Sequence, residues 1–339
     1  MRSVLDIQKQ LLPDLMDTMR KRYTILHHIM LSKVVGRRTL ASSLDMTERV
    51  LRSEVDFLKA QGLLEVESYG MRISDSGRSL LEAIEPMVRE LFGLSELEDR
   101  LKARFGMEQA VVVPGDSDTS PYAKIELGRA GAAAVRKAAI REGVIAVTGG
   151  STMAEVASHM GPSPQLKASL FVPARGGLGE SLDFQANTIA STMAKKTGGQ
   201  YRLMHVPDHL GEEAYLSLIQ EPHIQEIVQV IHQARMLVHG IGEASVMARR
   251  RKIDSATIES LKREGALAEA FGYYFDASGK VVHRMPTVGL KLEDIQKTEA
   301  VIAVAGGRSK APSIAAVMKF GCHVLVTDEA AAIAILDAN

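Results

Sequence analysis

The apolar positions follow two regimes that change character near residue 90. Before that point the spacing is helical. Leu11, Leu15, Met19, Ile25, Leu26 and Ile29 form a series compatible with helical turns, with Pro13 placed to start or break the first of them. A short helix is predicted over residues 37–44, a turn at Asp45-Met46-Thr47, and a longer helix to about residue 61 that Gly62 closes. Residues 63–67 and 71–74 read as two short strands around a turn at Ser68, Tyr69 and Gly70. A helix over 76–92 carries Leu80, Leu81, Ile84, Val88 and Leu91 on one side. That side either packs on its own domain or pairs two subunits as a linker.

Past about residue 96 the pattern becomes short apolar runs separated by helix-like segments. Strands are predicted at 110–113, 144–148, 169–173, 201–206, 236–240, 301–305 and 323–327, with an Ala-rich helix over 122–141 after the first. Short strands apolar on both faces, alternating with helices, indicate a mainly parallel sheet. The expected architecture is an α/β domain with an open, mainly parallel, Rossmann-like sheet, preceded by a small winged helix-turn-helix domain. The expected boundaries are 1–90 and 91–339.

Composition narrows the class. A chain of 339 residues favours two domains, and 46% hydrophobic residues allow a sizeable core. Lys+Arg and Asp+Glu are both 41, so only local charge can point to nucleic acid. The single cysteine, Cys322, excludes an intramolecular disulfide and suggests a reducing compartment; its apolar neighbours make it a small buried hydrophobe. Asp6, Lys9, Asp14 and Asp17 interrupt any apolar core of a signal peptide, and no window approaches the ~20 apolar residues of a membrane span. The expectation is a cytoplasmic protein without a membrane partner. No Trp is present and aromatics are 4%, which argues against stacking platforms for single strands.

The first candidate chemistry is the segment 36–52. A helix-turn-helix needs a short helix, a tight turn and a second helix that enters the major groove. Leu40, Ala41 and Leu44 can pack inward from the first helix, and Thr47 suits the cap of the second. Leu51, Val55 and Leu58 share a buried face at i, i+4, i+7, while Arg49, Arg52, Ser53 and Asp56 form a polar stripe. Between residues 20 and 60 stand nine Lys or Arg against four Asp or Glu. Arg37 and Arg38 open the first helix, and Tyr69 and Arg72 sit on the predicted wing. These eight residues, Arg37, Arg38, Thr47, Arg49, Arg52, Ser53, Tyr69 and Arg72, are the candidate contacts to double-stranded operator DNA.

The second is a pair of strand–Gly-Gly–helix junctions: Gly149-Gly150-Ser151-Thr152 and Gly306-Gly307-Arg308-Ser309-Lys310. Glycine permits close backbone approach, and free N–H groups at a helix start point at an anion. Ser151 and Thr152 add hydroxyls; Lys310 and Arg308 add charge. Neither loop has the P-loop spacing, and Gly240-Ile241-Gly242 lacks the third glycine of a dinucleotide fingerprint. Arg175, Gln185, Arg250, Arg251 and Glu269 lie on loops after strands or at helix ends, where open α/β sheets bind ligands. For Arg250 and Arg251 a solvated surface face is an equal reading. His27, His28, His205, His209 and His232 show no metal-ligand spacing, and no metal or cofactor is expected. A sugar-phosphate isomerase or deaminase with an appended DNA-binding module is the competing class. It would need a positioned acid–base pair, and Glu269 stands without an evident partner.

These motifs resemble the SorC-type sugar-binding transcriptional regulators: Gly149-Gly150-Ser151-Thr152, the 265–272 stretch leading into Tyr273-Tyr274-Phe275-Asp276, Ala305-Gly306-Gly307 with Lys310, and in the N-terminal part Leu11-Leu12-Pro13-Asp14-Leu15, Gly36-Arg37-Arg38 and Glu48-Arg49-Val50-Leu51-Arg52. The likeness spans essentially the whole chain. It implies an effector domain built like the sugar-phosphate isomerases and deaminases, and a non-enzymatic repressor of a glycolytic operon. It further implies a homo-oligomer, dimer or tetramer, that binds operator DNA without effector and is released by fructose 1,6-bisphosphate. The effector residues it implies are Gly149, Gly150, Ser151, Thr152, Arg175, Gln185, Arg250, Arg251, Glu269 and Lys310, with Ser151 keeping the hydroxyl of a family threonine.

Overall fold

The computed structural model describes residues 11–32, 34–44, 46–140, 142–177, 181–207 and 211–338. Asp6, Lys9, Asp45, the expected helix end at Arg141, and His209 lie outside the described residues.

One helix, α1 (Pro13–Ser32), starts at Pro13, where the missing N–H costs nothing. Its apolar series is buried only from Tyr23 onward; Leu11 and Leu15 are 74% and 54% exposed. Then come α2 (Arg37–Ser43) and α3 (Glu48–Ala60). Thr47 caps α3 by accepting the Val50 N–H on its Oγ1 at 3.3 Å. Leu51, Val55 and Leu58 are buried, so the predicted inward face is the observed one. Strands β1 (Leu64–Glu67) and β2 (Gly70–Ile73) pair antiparallel as the wing. Helix α4 (Asp75–Leu91), capped by Ser74, turns Leu81 and Val88 into the same core as Leu40, Leu51 and Ile29. Of the two readings of this helix, packing on its own domain describes these residues; Leu80 and Met87 stay exposed on it.

The residues group into two compact units. One runs to Glu96 and takes in Ser120–Tyr122; the other comprises Leu97–Thr119 and everything from Ala123 on.

The larger unit opens with the remainder of α5 (Leu94–Phe105) and continues through β3 (Gln109–Val113), α6 (Pro121–Lys137), β4 (Val144–Val147), α7 (Ser151–Ser158), β5 (Leu170–Pro173), α8 (Ala186–Thr197) and β6 (Gln200–Tyr201). After α9 (Glu212–Leu218) and α10 (Pro222–His232) come β7 (Ala234–His239), β8 (Gly242–Glu243), α11 (Ala244–Arg250), α12 (Ser255–Arg263), β9 (Ala268–Ala270), β10 (Tyr273–Phe275) and β11 (Val281–Arg284). The chain ends with α13 (Leu292–Ile295), β12 (Ala300–Val304), α14 (Ala311–Phe320), β13 (Val324–Asp328) and α15 (Glu329–Asp337).

Seven strands form one sheet in the order β3-β13-β12-β7-β4-β5-β6, parallel at every pairing. The chain moves outward from β4 through β5 to β6, then returns to place β7 on the other side of β4. The topological switch point therefore lies between β4 and β7, where doubly wound sheets open a crevice. Val147, Val238, Ile302, Val304 and Val326 pack here with Met153, Val156 and Met193 from the covering helices.

Two elements differ from the sequence pattern. The run 201–206 is a strand only at its first residue, because the Asn187 side chain takes the place of a neighbouring strand. Its Nδ2 donates to Met204 O at 2.9 Å and its Oδ1 accepts the Met204 N–H at 3.0 Å. The pattern also lacks a second sheet, four antiparallel strands in the order β11-β10-β9-β8. These strands are two to four residues long, too short for alternation to show. Among the described residues no helix is long and apolar enough to cross a membrane.

Candidate functional site

A cavity of about 250 Å³ opens at the switch point. Its walls are the loops after β4, β5, β7 and β12, together with α11 and β9. All ten effector residues expected from the sequence line it: Gly149, Gly150, Ser151, Thr152, Arg175, Gln185, Arg250, Arg251, Glu269 and Lys310. Four cations, Arg175, Arg250, Arg251 and Lys310, face two carboxylates, Glu243 and Glu269. The balance favours an anion.

The first glycine turn is built as expected. A Cβ on Gly149 would lie 2.6 Å from Phe184 O, and the Gly150 N–H donates to that same oxygen at 2.8 Å. The loop thus hugs the turn that carries Gln185. Ser151 and Thr152 form the first turn of α7, whose leading amides have no intrahelical acceptor and whose dipole favours negative charge.

The second turn overturns its sequence reading. Its amides hold the protein's own carboxylates instead of facing the cavity. Gly307 N donates to Asp328 Oδ2 at 2.7 Å, Ser309 N to Asp118 Oδ2 at 2.7 Å, and Arg308 N to Asp116 Oδ1 at 3.3 Å. A Cβ on Gly307, at φ 100°, would meet Asp118, so this glycine serves that internal contact. Arg308 is exposed and outside the cavity wall. Only Ser309 and Lys310 reach the cavity. Burial lowers the Lys310 pKa from its ordinary value, partly offset by Asp118.

Arg175 and Arg251 are buried and converge on Glu269. Arg175 Nη1 lies 3.0 Å and Arg251 Nη1 2.9 Å from Glu269 Oε1, which also accepts the Gly272 N–H at 2.8 Å. Burial pushes the Glu269 carboxyl up, but the two guanidinium charges outweigh it and the net shift is downward. The basic run splits: Arg251 is buried, while Arg249 and Arg250 are exposed, with Arg250 at the cavity wall. Sequence reasoning missed Ile241, Val246, Met247 and Phe271, which give the cavity an apolar side. The signal in the sequence that points to this side is the Gly240-Ile241-Gly242 turn after β7, which lines the cavity although it lacks a dinucleotide fingerprint.

In the N-terminal unit, Arg49, Arg52 and Ser53 are exposed together on α3. Arg37 is half-buried, and Arg38 is exposed with its Nε 3.5 Å from Glu48. Thr47 is occupied as the cap. The wing is less cationic than its sequence suggests. Arg72 Nη2 pairs with Glu65 at 2.6 Å and Glu67 at 3.4 Å, and Tyr69 is hydrogen-bonded to Glu67, which raises its pKa. Among the described residues no group of His, Cys, Asp and Glu could hold a metal.

A winged helix-turn-helix unit and a Rossmann-like unit with a cationic cavity at its switch point define a ligand-responsive, DNA-binding regulator. Comparison with known proteins agrees. Residues 89–337 match the family described as "Putative sugar-binding domain", and residues 18–88 match the CggR N-terminal DNA binding domain. The chain belongs to the SorC-type family of sugar-binding transcriptional regulators. It is 49% identical to the central glycolytic genes regulator of Priestia megaterium (strain DSM 319 / IMG 1521), over 98% of both chains. It is 47% identical to the protein of that name from Bacillus subtilis (strain 168), again over 98% of both. Among solved structures it is similar to "the putative SorC family transcriptional regulator from Enterococcus faecalis", at 45% identity and TM-score 0.67, covering 71% of this chain and all of that one. The chain is a DNA-binding regulator and not an enzyme.

Proposed function

We propose that the chain represses a glycolytic operon and leaves its operator when fructose 1,6-bisphosphate fills the cavity. The observation that carries this reading is the cavity wall. The α7 N-terminus with Ser151 and Thr152 offers one anion position, and the Arg175, Arg250, Arg251 and Lys310 side chains offer another. A sugar bearing a phosphate at each end matches two such positions. Gln185 and Glu269 also line the cavity and would take sugar hydroxyls. The names of the two relatives support the choice of operon. The α3 arginines would hold operator DNA, and the protein would act as a homo-oligomer, dimer or tetramer.

Calorimetric titration of the full chain with mono- and bisphosphorylated sugars, with and without operator DNA, tests the reading. Fructose 1,6-bisphosphate is expected to bind and to weaken the DNA complex, and operator DNA must weaken sugar binding by the same factor. Lys310→Ala or Thr152→Val is expected to lower sugar-phosphate affinity and leave operator affinity without sugar intact. Binding of no sugar phosphate by the folded wild-type chain would overturn the proposal.

A further inference from the structure

Helix α3 carries a stripe that neither its core face nor its arginines explain. Val50, Glu54 and Phe57 lie at i, i+4 and i+7 along one edge of the exposed side. Two of the three have partners on α1. The Arg22 guanidinium lies over the Phe57 ring, 3.6 Å from its centroid, and Arg22 Nε and Lys21 Nζ pair with Glu54 at 2.9 and 3.8 Å. Val50 is 42% exposed in the first turn of the helix.

That first turn is where a recognition helix meets base edges. Arg49 and Ser53, one residue before and three after Val50, are exposed beside it, whereas Arg52, two residues on, leaves the helix from nearly the opposite side. Arg49 draws phosphate to this turn, which brings Val50, in the same turn, within reach of the groove. The backbone of Val50 is fixed, because its N–H donates to the Thr47 cap at 3.3 Å. A valine in a helix also keeps essentially one χ1 rotamer, so its two methyl groups stand in a set direction at little further entropic cost. The only apolar group that a base pair shows in the major groove is the thymine 5-methyl.

We propose that Val50 reads the 5-methyl group of a thymine in the operator. The inference rests on the DNA-binding assignment of residues 18–88 and is independent of which sugar phosphate acts as effector. It separates the duties on α3: arginines supply attraction and hydrogen bonding, and Val50 discriminates thymine by apolar contact.

The test uses the full chain and a duplex selected by the wild-type protein from a random pool. Each thymine is replaced singly by deoxyuridine, which removes the methyl and leaves base pairing intact. One or more positions are expected to cost the wild type about fourfold in affinity, the worth of one buried methyl-sized group. In Val50→Ala the same replacements should cost less than about half of that factor, and Val50→Thr, which keeps one methyl, should fall between. A thermal melt confirms that each variant is folded. The proposal is overturned if no thymine methyl matters to the wild type, or if Val50→Ala remains as sensitive to its loss. Failure to select any duplex would instead sink the DNA-binding assignment, which keeps the two failures apart.

Discussion

Asp118 Oδ2 accepts the backbone N–H of Ser309 at 2.7 Å, directly behind the cavity wall that Ser309 and Lys310 form. The loop after β3 thereby holds the turn after β12 in place. Asp118→Ala removes one of the three carboxylate acceptors of the turn and loosens it at Ser309, while Asp118→Asn keeps an oxygen for the Ser309 N–H. Affinity for the proposed effector, fructose 1,6-bisphosphate, is expected to fall severalfold in the alanine variant, in line with about 1 kcal/mol for one hydrogen bond. The asparagine variant should stay near wild type or bind slightly tighter, having lost a negative charge. Calorimetric titration of both decides it, and equal affinity in all three proteins would show that the turn needs no such tether.

Glu269 pairs with both buried arginines, Arg175 and Arg251, through a single oxygen. Glu269→Gln would leave two guanidinium groups buried against an amide. A loss of about 3–5 kcal/mol is expected, the usual cost of breaking a buried ion pair from one side. The pH dependence has a defined sign. The folded carboxyl is held below its ordinary value, so its stabilisation is fully present above the ordinary value and is lost as pH falls through the depressed one. Urea unfolding should therefore show the gap between wild type and variant closing only in strong acid. A gap that is absent at neutral pH would refute the role.

Much of this arrangement was legible in the sequence, for identifiable reasons. Val144–Val147 and Ala300–Val304 are buried on both faces, so their apolar runs marked them as strands without knowledge of the sheet. Residue type also marked three side chains that line the cavity: Arg175 after β5, Gln185 at the start of α8 and Glu269 in β9. What the sequence hid was strand order. It puts β7 beside β4, so Gly240 and Ile241 face Gly149 across the cavity although some ninety positions apart. The acceptors of the second glycine turn were hidden for the same reason. Asp118 and Asp328 come from two other loops, and a Gly-Gly turn looks alike whether its amides await a ligand or already hold a carboxylate.

His239 lies fully buried beneath the cavity, and burial pushes its pKa down to about 4. Its Nδ1 faces Gly240 O at 3.0 Å, and the Phe271 ring stands edge-on to it. The folded protein thus keeps the imidazole neutral, while the unfolded chain takes up a proton near pH 6.5. Stability should fall as pH drops from about 6.5 towards 4, by about 3 kcal/mol in all for this group. His239→Gln should unfold with a flatter pH profile across that window; the smaller slope that remains would come from His28, which burial also lowers, and at its acid end from carboxyls held below their ordinary value, such as Glu269. An unchanged profile in the variant would mean that the histidine does not carry the acid sensitivity.

The wing and the recognition helix should answer differently to salt. Arg52 and Arg49 are exposed on α3 with no ion pair among the described residues, whereas Arg72 is engaged by Glu65 and Glu67. Each phosphate contact contributes a slope of about −0.9 in log affinity against log salt. Arg52→Ala is therefore expected to weaken operator binding. The loss would be uniform across sequences with a slope shallower by about 1 if Arg52 meets a phosphate, or about 1–3 kcal/mol at one base pair if it meets a guanine. Removing both wing carboxylates, Glu65→Gln with Glu67→Gln, should do the opposite. It frees Arg72, subtracts two negative charges from a surface near DNA, and should tighten binding to random duplex more than to operator, so the specificity ratio falls. Filter binding over a salt series measures both slopes. If the double variant left affinity for random duplex unchanged, the wing would stand too far from the backbone for its charge to matter, and the acidic pair would be a matter of local hairpin stability alone.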